Sequence, residues 1–335
     1  MRAAMRAARV PTVSSAAPRG SRRRTIILVA LAFDVLIVIG LLAWRPEWAL
    51  QGWFAAQRLQ AGAEVRSVEV DGQRIVQLEA GPVDAPLVVL LHGFTGTKEN
   101  WLPLMAELSA THRVIAPDLP GWGESQREPG ADYGVVAQSE RIAAWLGTLP
   151  RTPDLLAGHS MGGHITGLVA ARHPERVRRI ALLSAAGVPF APNEFGRAVL
   201  DGGHPFAVED RASLDRYLGL VFTDPPFVPW PADRALIARR IADNAFERDV
   251  LARLRGDEAF AVQPLLGDIR APALLLWCDD DRVIDPSSAA LFAAGLGESR
   301  TVMLPGCGHM PMMAAVAEVA DALSAQAAVL VPSAP

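Results

Sequence analysis

DLLAGHSMGGHITG, residues 154–167, runs from an apolar stretch into Ser160, which has Gly158 on one side and Gly162 and Gly163 on the other. Glycines two before and two after a serine are what a chain needs where a strand reverses sharply into a helix. The serine backbone is strained there, and the flanking positions cannot carry a Cβ without collision. Gly158-His159-Ser160-Met161-Gly162 thus has the pattern of a nucleophile elbow. Glycine and serine are also common in ordinary turns. What decides is whether a strand precedes Ser160, a helix follows it and a sheet surrounds both.

The chain supplies that setting. EVRSVEVDGQRIVQLEAG, from residue 64, alternates apolar and polar residues around Asp71-Gly72, a strong hairpin signal. Next come PLVVLLHGF as a buried strand, NWLPLMAELSA as a helix, HRVIAPDL as a strand and AQSERIAAWLGTL as a helix. DLLAGHS is the strand into the elbow, GGHITGLVAARHP the helix out of it and RRIALLSAAG the next strand. Continuous apolar strands separated by helices imply a mostly parallel sheet covered on both faces. Residues 189–263 break the alternation with Pro-rich, helix-like segments and no clear strand. An all-helical insertion at the carboxyl end of a strand sits over the crevice where open α/β sheets bind ligands, which makes it a lid candidate. Alternation resumes with PALLLWC, PSSAALFAAGL and RTVMLPG, then a last helix from about Met312.

HGFTGTKENWLPL, RVIAPDLPGWGES, GHSMGG, LLSAAGV and LLLWCDDDRVID with GCGH together resemble the α/β-hydrolases over residues 64–325. Within them, the HGFxxxKxxW block and the AAG after the sixth strand resemble bacterial true lipases and membrane-anchored monoacylglycerol lipases. The resemblance implies an α/β-hydrolase fold: an eight-stranded, mostly parallel sheet with helices on both faces and a helical cap after strand 6. The expected divisions are hydrolase core over 64–188 and 264–335 and cap over 189–263.

A serine hydroxyl needs an adjacent base, itself oriented by a carboxylate, to become nucleophilic. In this fold the chain order is Ser, acid, His, so His309 is the expected base for Ser160. Asp279, Asp280, Asp281 and Asp285 crowd the turn after LLLWC; the family pattern of Asp before Arg and an apolar pair selects Asp281, with Asp280 as runner-up. Two backbone N–H groups should face the carbonyl oxygen as it becomes negative. The resemblance assigns them to Met161, directly after Ser160, and to Phe94 after Gly93. His92 and His164 are expected to be structural, and His159 is a family-type neighbour of the serine. The relatives often carry HxPxxExP after the histidine; here it reads HMPMMAAV.

Net charge −4, with no basic stripe in the body of the chain, gives no reason to expect nucleic acid. No His/Cys/Asp cluster has metal-ligand spacing, so neither metal nor cofactor is expected. The N-terminus differs from the rest. Seven arginines and no acidic residue occupy a tail expected to be disordered over 1–25. Residues 26–44, IILVALAFDVLIVIGLLAW, would span about 29 Å as a helix, which fits one transmembrane signal anchor despite Asp34 at mid-span. No A-x-A cleavage site follows. Residues 45–63 form an amphipathic linker helix with Trp48, Trp53 and Phe54, suited equally to the membrane interface or to packing on the domain. The positive-inside rule puts the tail in the cytoplasm and, in a bacterium, the catalytic domain in the periplasm at the inner membrane. Cys278 and Cys307, the only cysteines, leave strands expected to be neighbours, so a disulfide and two buried thiols are both open.

The expected function is hydrolysis of carboxylic esters of lipid-like substrates through an acyl-serine. A carbon–carbon bond hydrolase or amidase of the same fold is an alternative. So is a non-catalytic membrane-anchored binding protein, although no triad member is missing.

Overall fold

The computed structural model describes residues 19–328, with side chains from residue 24 onward. Residues 1–18 of the expected basic tail lie outside them. Helix α1 (Arg19–Trp44) starts inside that tail, seven residues before the expected position 26, since arginine propagates a helix well. Its Arg24–Trp44 portion has mean hydropathy 3.0, is not buried against the rest of the chain, and is long and apolar enough to cross a membrane. Helix α2 (Pro46–Gln60) follows, with proline at its start, where a missing N–H costs nothing.

Strands β1 (Glu64–Val70) and β2 (Gln73–Ala80) form the expected hairpin. Asp71 (φ 50°) and Gly72 (φ 78°) are both left-handed, as a two-residue type I′ turn requires. The alternating part then runs β3 (Leu87–Leu91), α3 (Leu102–Leu108), β4 (Arg113–Pro117), α4 (Val135–Leu146), β5 (Leu155–His159), α5 (Met161–Arg172) and β6 (Ile180–Leu183). Three helices follow before the next strand: α6 (Glu194–Leu200), α7 (Arg211–Val221) and α8 (Ala232–Leu254). The chain finishes with β7 (Ala273–Cys278), α9 (Ser287–Gly295), β8 (Ser299–Leu304), α10 (Pro311–Ala314) and α11 (Val316–Ala327). The single last helix expected from Met312 is therefore two, separated at Ala315 (φ −130°, ψ 55°).

The eight strands form one sheet in the order β1-β2-β4-β3-β5-β6-β7-β8, in which only β2 runs against its neighbours. This is the α/β-hydrolase fold. Strands β3, β5, β6 and β7 are buried along their whole length, which explains their unbroken apolar sequences. Strand β5 lies between β3 and β6, so Ser160 emerges at the carboxyl end of a central strand. Helix α2 packs on α8, as one of its two expected roles required, and leaves Trp48 and Trp53 about half exposed.

Cys278 and Cys307 are joined in a disulfide between the ends of neighbouring strands, with Cα atoms 5.1 Å apart. The two residues are 29 apart in sequence, a loop whose closure contributes about 3–4 kcal/mol in the chain-entropy model. Replacing both cysteines by alanine should lower the thermal unfolding midpoint of the detergent-solubilised chain. An unchanged midpoint would show that the bridge adds nothing.

Candidate active site

Ser160 has φ 53° and ψ −117°, a conformation disfavoured for any residue with a Cβ. The surroundings hold it there. Its N–H donates to Leu183 O (2.9 Å), and its carbonyl accepts from Gly163 (3.0 Å), His164 (3.1 Å) and Ala186 (3.1 Å). The glycines permit the approach of helix to sheet. A Cβ on Gly158 would lie 2.1 Å from Gly162 O, one on Gly162 2.4 Å from Leu91 O, and one on Gly163 2.5 Å from the Ala185 Cβ. All three positions are closed to any larger residue unless α5 moves off the sheet.

The turn after β7 brings Asp281 to His309. His309 Nδ1 is 2.9 and 3.0 Å from the two carboxylate oxygens, and both side chains are buried. An ionised carboxylate only accepts, so Nδ1 carries the proton and Nε2 keeps its lone pair. Oδ1 also accepts from the N–H groups of Val283 (2.9 Å) and Ile284 (3.0 Å), which fix the carboxylate. The runner-up is engaged elsewhere: Asp280 accepts from Thr223 Oγ1 and Arg282, both at 2.9 Å, and these bonds hold its pKa below the usual value. Asp279 accepts from Gly306 N–H (2.8 Å).

His309 sits against the elbow. Its ring centroid is 4.6 Å from that of His159, and His159 Nε2–H donates to His309 O at 2.6 Å. The residue immediately before Ser160 thereby grips the backbone of the imidazole-bearing residue, a contact the sequence reading did not foresee.

The loop after β3 closes the other side. A Cβ on Gly93 would lie 3.0 Å from Ser160 Cβ and 2.9 Å from His159 Nδ1, so this loop touches the elbow one residue before Phe94. Met161 is the first residue of α5. Among the described residues, no protein acceptor takes the N–H of Phe94 or of Met161. Two backbone donors without a partner, on residues that flank the elbow, suit an oxygen that becomes negative.

His92 and His164 have structural bonds. His92 Nδ1–H donates to Gly93 O (2.8 Å) while Nε2 accepts from Leu119 N–H (3.0 Å); burial is the main cause that lowers its pKa to about 4. His164 Nε2 accepts from Val262 N–H (3.2 Å), and burial lowers its pKa to about 3.

Lys98 was missed as a site residue, although it is the chain's only lysine and part of the HGFxxxKxxW block. Its side chain is buried and its Nζ donates to Asp118 (2.8 Å) and to Glu124, while its backbone N–H donates to the other Asp118 oxygen (2.8 Å). It clamps the loop that carries Phe94 to the loop after β4. The cap meets the same loop. Phe94 packs on Trp122 (5.3 Å) and on Phe206 (5.8 Å) of the cap, and Arg240 Nη1 donates to Thr95 O (3.4 Å).

A cavity of about 460 Å³ runs between α2, the cap and this loop. Trp53, Phe54, Tyr217, Leu218 and Leu236 line it, and it reaches Thr95 and Met310, the chain neighbours of Phe94 and His309; Ser160 itself is not in its wall.

Two outcomes follow from these contacts. Lys98→Met leaves the fully buried Asp118 without its cation, which should cost about 3–5 kcal/mol and lower the thermal midpoint; no change would rule out the clamp. His92 and His164 have folded pKa values near 4 and 3 against 6.5 unfolded, so between these the unfolded state binds more protons. Their stabilisation is present above pH 6.5 and is lost on acidification, by about 2 kcal/mol each at pH 5. The thermal midpoint should fall from pH 7 to pH 5, and a flat profile would contradict this.

Comparison with known proteins gives a consistent picture. The Alpha/beta hydrolase family model matches residues 88–322. Lipase 1 of Psychrobacter immobilis is 28% identical, over 79% of this chain and 84% of its own. Monoacylglycerol lipase ABHD6 of Bos taurus is 27% identical, over 86% and 88%. A crystal structure of a membrane phospholipase A superposes with a TM-score of 0.81 at 34% identity, covering 91% of this chain and 100% of that one. With the elbow at Ser160, the sheet order and the family match over residues 88–322, the chain belongs to the α/β-hydrolase family.

Proposed function

We propose that the protein is a membrane-anchored serine hydrolase that cleaves carboxylic esters of lipid-like substrates. The observation that carries this reading is the buried His309–Asp281 pair held against His159, the residue immediately before a strained Ser160. In the proposed reaction, Ser160 Oγ attacks the ester carbonyl and its proton passes to His309 Nε2. Asp281 steadies the resulting imidazolium. Phe94 and Met161 N–H stabilise the oxyanion; one such donor is worth about 3–4 kcal/mol. The leaving alcohol takes the proton from His309, and water, activated by the same imidazole, releases the acid from acyl-Ser160.

Three things support lipid over small ester. The cavity wall is largely apolar, it includes a helix that directly follows the candidate membrane span, and the relatives named above are lipases and a phospholipase. The arginine-rich tail argues for a cytoplasmic N-terminus, hence a periplasmic catalytic domain in a bacterial inner membrane. The Cys278–Cys307 bridge is in keeping with an oxidising compartment. Division into anchor, linker helix, core and cap follows the same reading.

Fluorophosphonate should label the detergent-solubilised wild type at Ser160, located by intact and peptide mass. Ser160→Ala should lose the label and on the order of 10⁴-fold or more in kcat/KM on long-chain p-nitrophenyl esters, and Asp281→Asn about 10⁴-fold in kcat. A folded wild type that takes no label would reject the activated serine and favour a binding protein. For topology, alkaline phosphatase fused to the C-terminus should be active; an inactive, stably produced fusion places the domain in the cytoplasm.

A further inference from the structure

Charge in the cavity wall does not balance. Three carboxylates line it, and each already has a cation. Glu99 pairs with Arg58 and lies 3.5 Å from Lys98 Nζ; Asp243 pairs with Arg127 at 2.7 Å; Glu247 pairs with Arg240 at 2.8 Å and lies 3.4 Å from His204. Of the two arginines in the wall, Arg240 is therefore spent, on Glu247 and on the carbonyls of Phe206 (2.7 Å) and Thr95. Arg239 is not. It lines the same cavity from α8, is half-buried, and its side chain makes no hydrogen bond or ion pair among the described residues.

A guanidinium stays charged at any pH a protein meets, and half-buried without a counter-ion it gives up hydration for nothing in return. A cavity that otherwise balances its charges thus retains one cation, in a wall that also holds Trp53, Leu218 and Leu236. The same wall includes Thr95, the chain neighbour of Phe94. Gln57 in the same wall offers a neutral hydrogen-bonding group for a polar head.

We infer that Arg239 is a specificity-determining residue that binds the phosphate of a glycerophospholipid or lysophospholipid, so that the preferred ester carries an anionic head group. The inference rests on the ester-hydrolase reading above. A guanidinium offers phosphate a bidentate fork that no neutral side chain reproduces. An uncharged acylglycerol leaves that fork empty; a phosphodiester fills it while its acyl chain lies on the apolar wall.

The test compares lysophosphatidylglycerol with a monoacylglycerol of the same acyl chain, in detergent micelles, on the full-length protein. The readout is the ratio of their kcat/KM values. In Arg239→Gln the ratio should fall about tenfold, the loss of one charge-assisted contact, and in Arg239→Lys it should fall by less. A ratio unmoved in Arg239→Gln overturns the inference. So does an equal fall in both variants, which would assign the effect to side-chain shape. Fluorophosphonate labelling of each variant reports whether it is folded. If Arg239→Gln is not, the wild type alone decides: an ether-linked lysophosphatidylglycerol should inhibit several-fold more tightly than the ether-linked glycerol of the same chain, and equal inhibition overturns the inference. A wild type that hydrolyses both lipids without head-group preference removes Arg239's role and leaves the lipid-ester reading intact. One that hydrolyses neither rejects that reading, and this inference with it.

Discussion

The approach of α5 to the ends of β3 and β6 is the constraint on which the site depends. Gly158, Gly162 and Gly163 leave backbone and small side chains as the only material at that junction. A residue with a Cβ at any of them would push the helix outward and carry Ser160 with it. The strain in Ser160 (φ 53°) is compensated locally: four backbone hydrogen bonds, one donated to Leu183 and three accepted from Gly163, His164 and Ala186, over-determine its conformation. A single local geometry thus sets where the hydroxyl projects, where the Met161 N–H lies and which loop from β3 can reach it.

The rest of the site consists of loops, and each loop is tied down by a buried polar device. Lys98 and Asp118 lock the β3 loop, His159 holds the His309 carbonyl, and two backbone N–H groups fix Asp281. The disulfide adds a covalent tie three residues before Asp281 and two before His309. Asp281 and His309 follow neighbouring strands β7 and β8, so the bridge joins the two strand ends from which their loops depart. Precision at a loop-built site comes from such ties more than from the sheet itself.

The parts that could be read in the sequence are those where one local rule has one outcome. Asp71-Gly72 demands a type I′ turn, and the fully apolar β3, β5 and β7 demand burial on both faces. The Asp281–His309 pairing was legible only through the family pattern, because four aspartates share that turn and spacing alone cannot say which faces the imidazole. Lys98 escaped notice for a related reason. Its partner Asp118 lies twenty residues away on a different loop, and a lone lysine in a polar stretch reads as solvated until the fold buries it. The His159 contact spans 150 residues, and nothing near either end announces it.

Helix α2 joins the two halves of the molecule's character. One side packs on cap helix α8 and supplies Trp53 and Phe54 to the cavity; its outer side and the end of α1 leave Trp44 and Trp48 open. The loop between α7 and α8 contributes Phe227, 83% exposed, and Trp230, 51% exposed, to the same cavity rim as Trp53. Exposed aromatics of this kind favour the headgroup layer of a bilayer, where an apolar ring meets a wet interface. Since α2 follows α1 after a single residue, this rim stays close to the end of the candidate membrane span. The aromatic rim, the apolar wall and one guanidinium thus line a single cavity. Such a wall offers both apolar and cationic groups to an amphiphile.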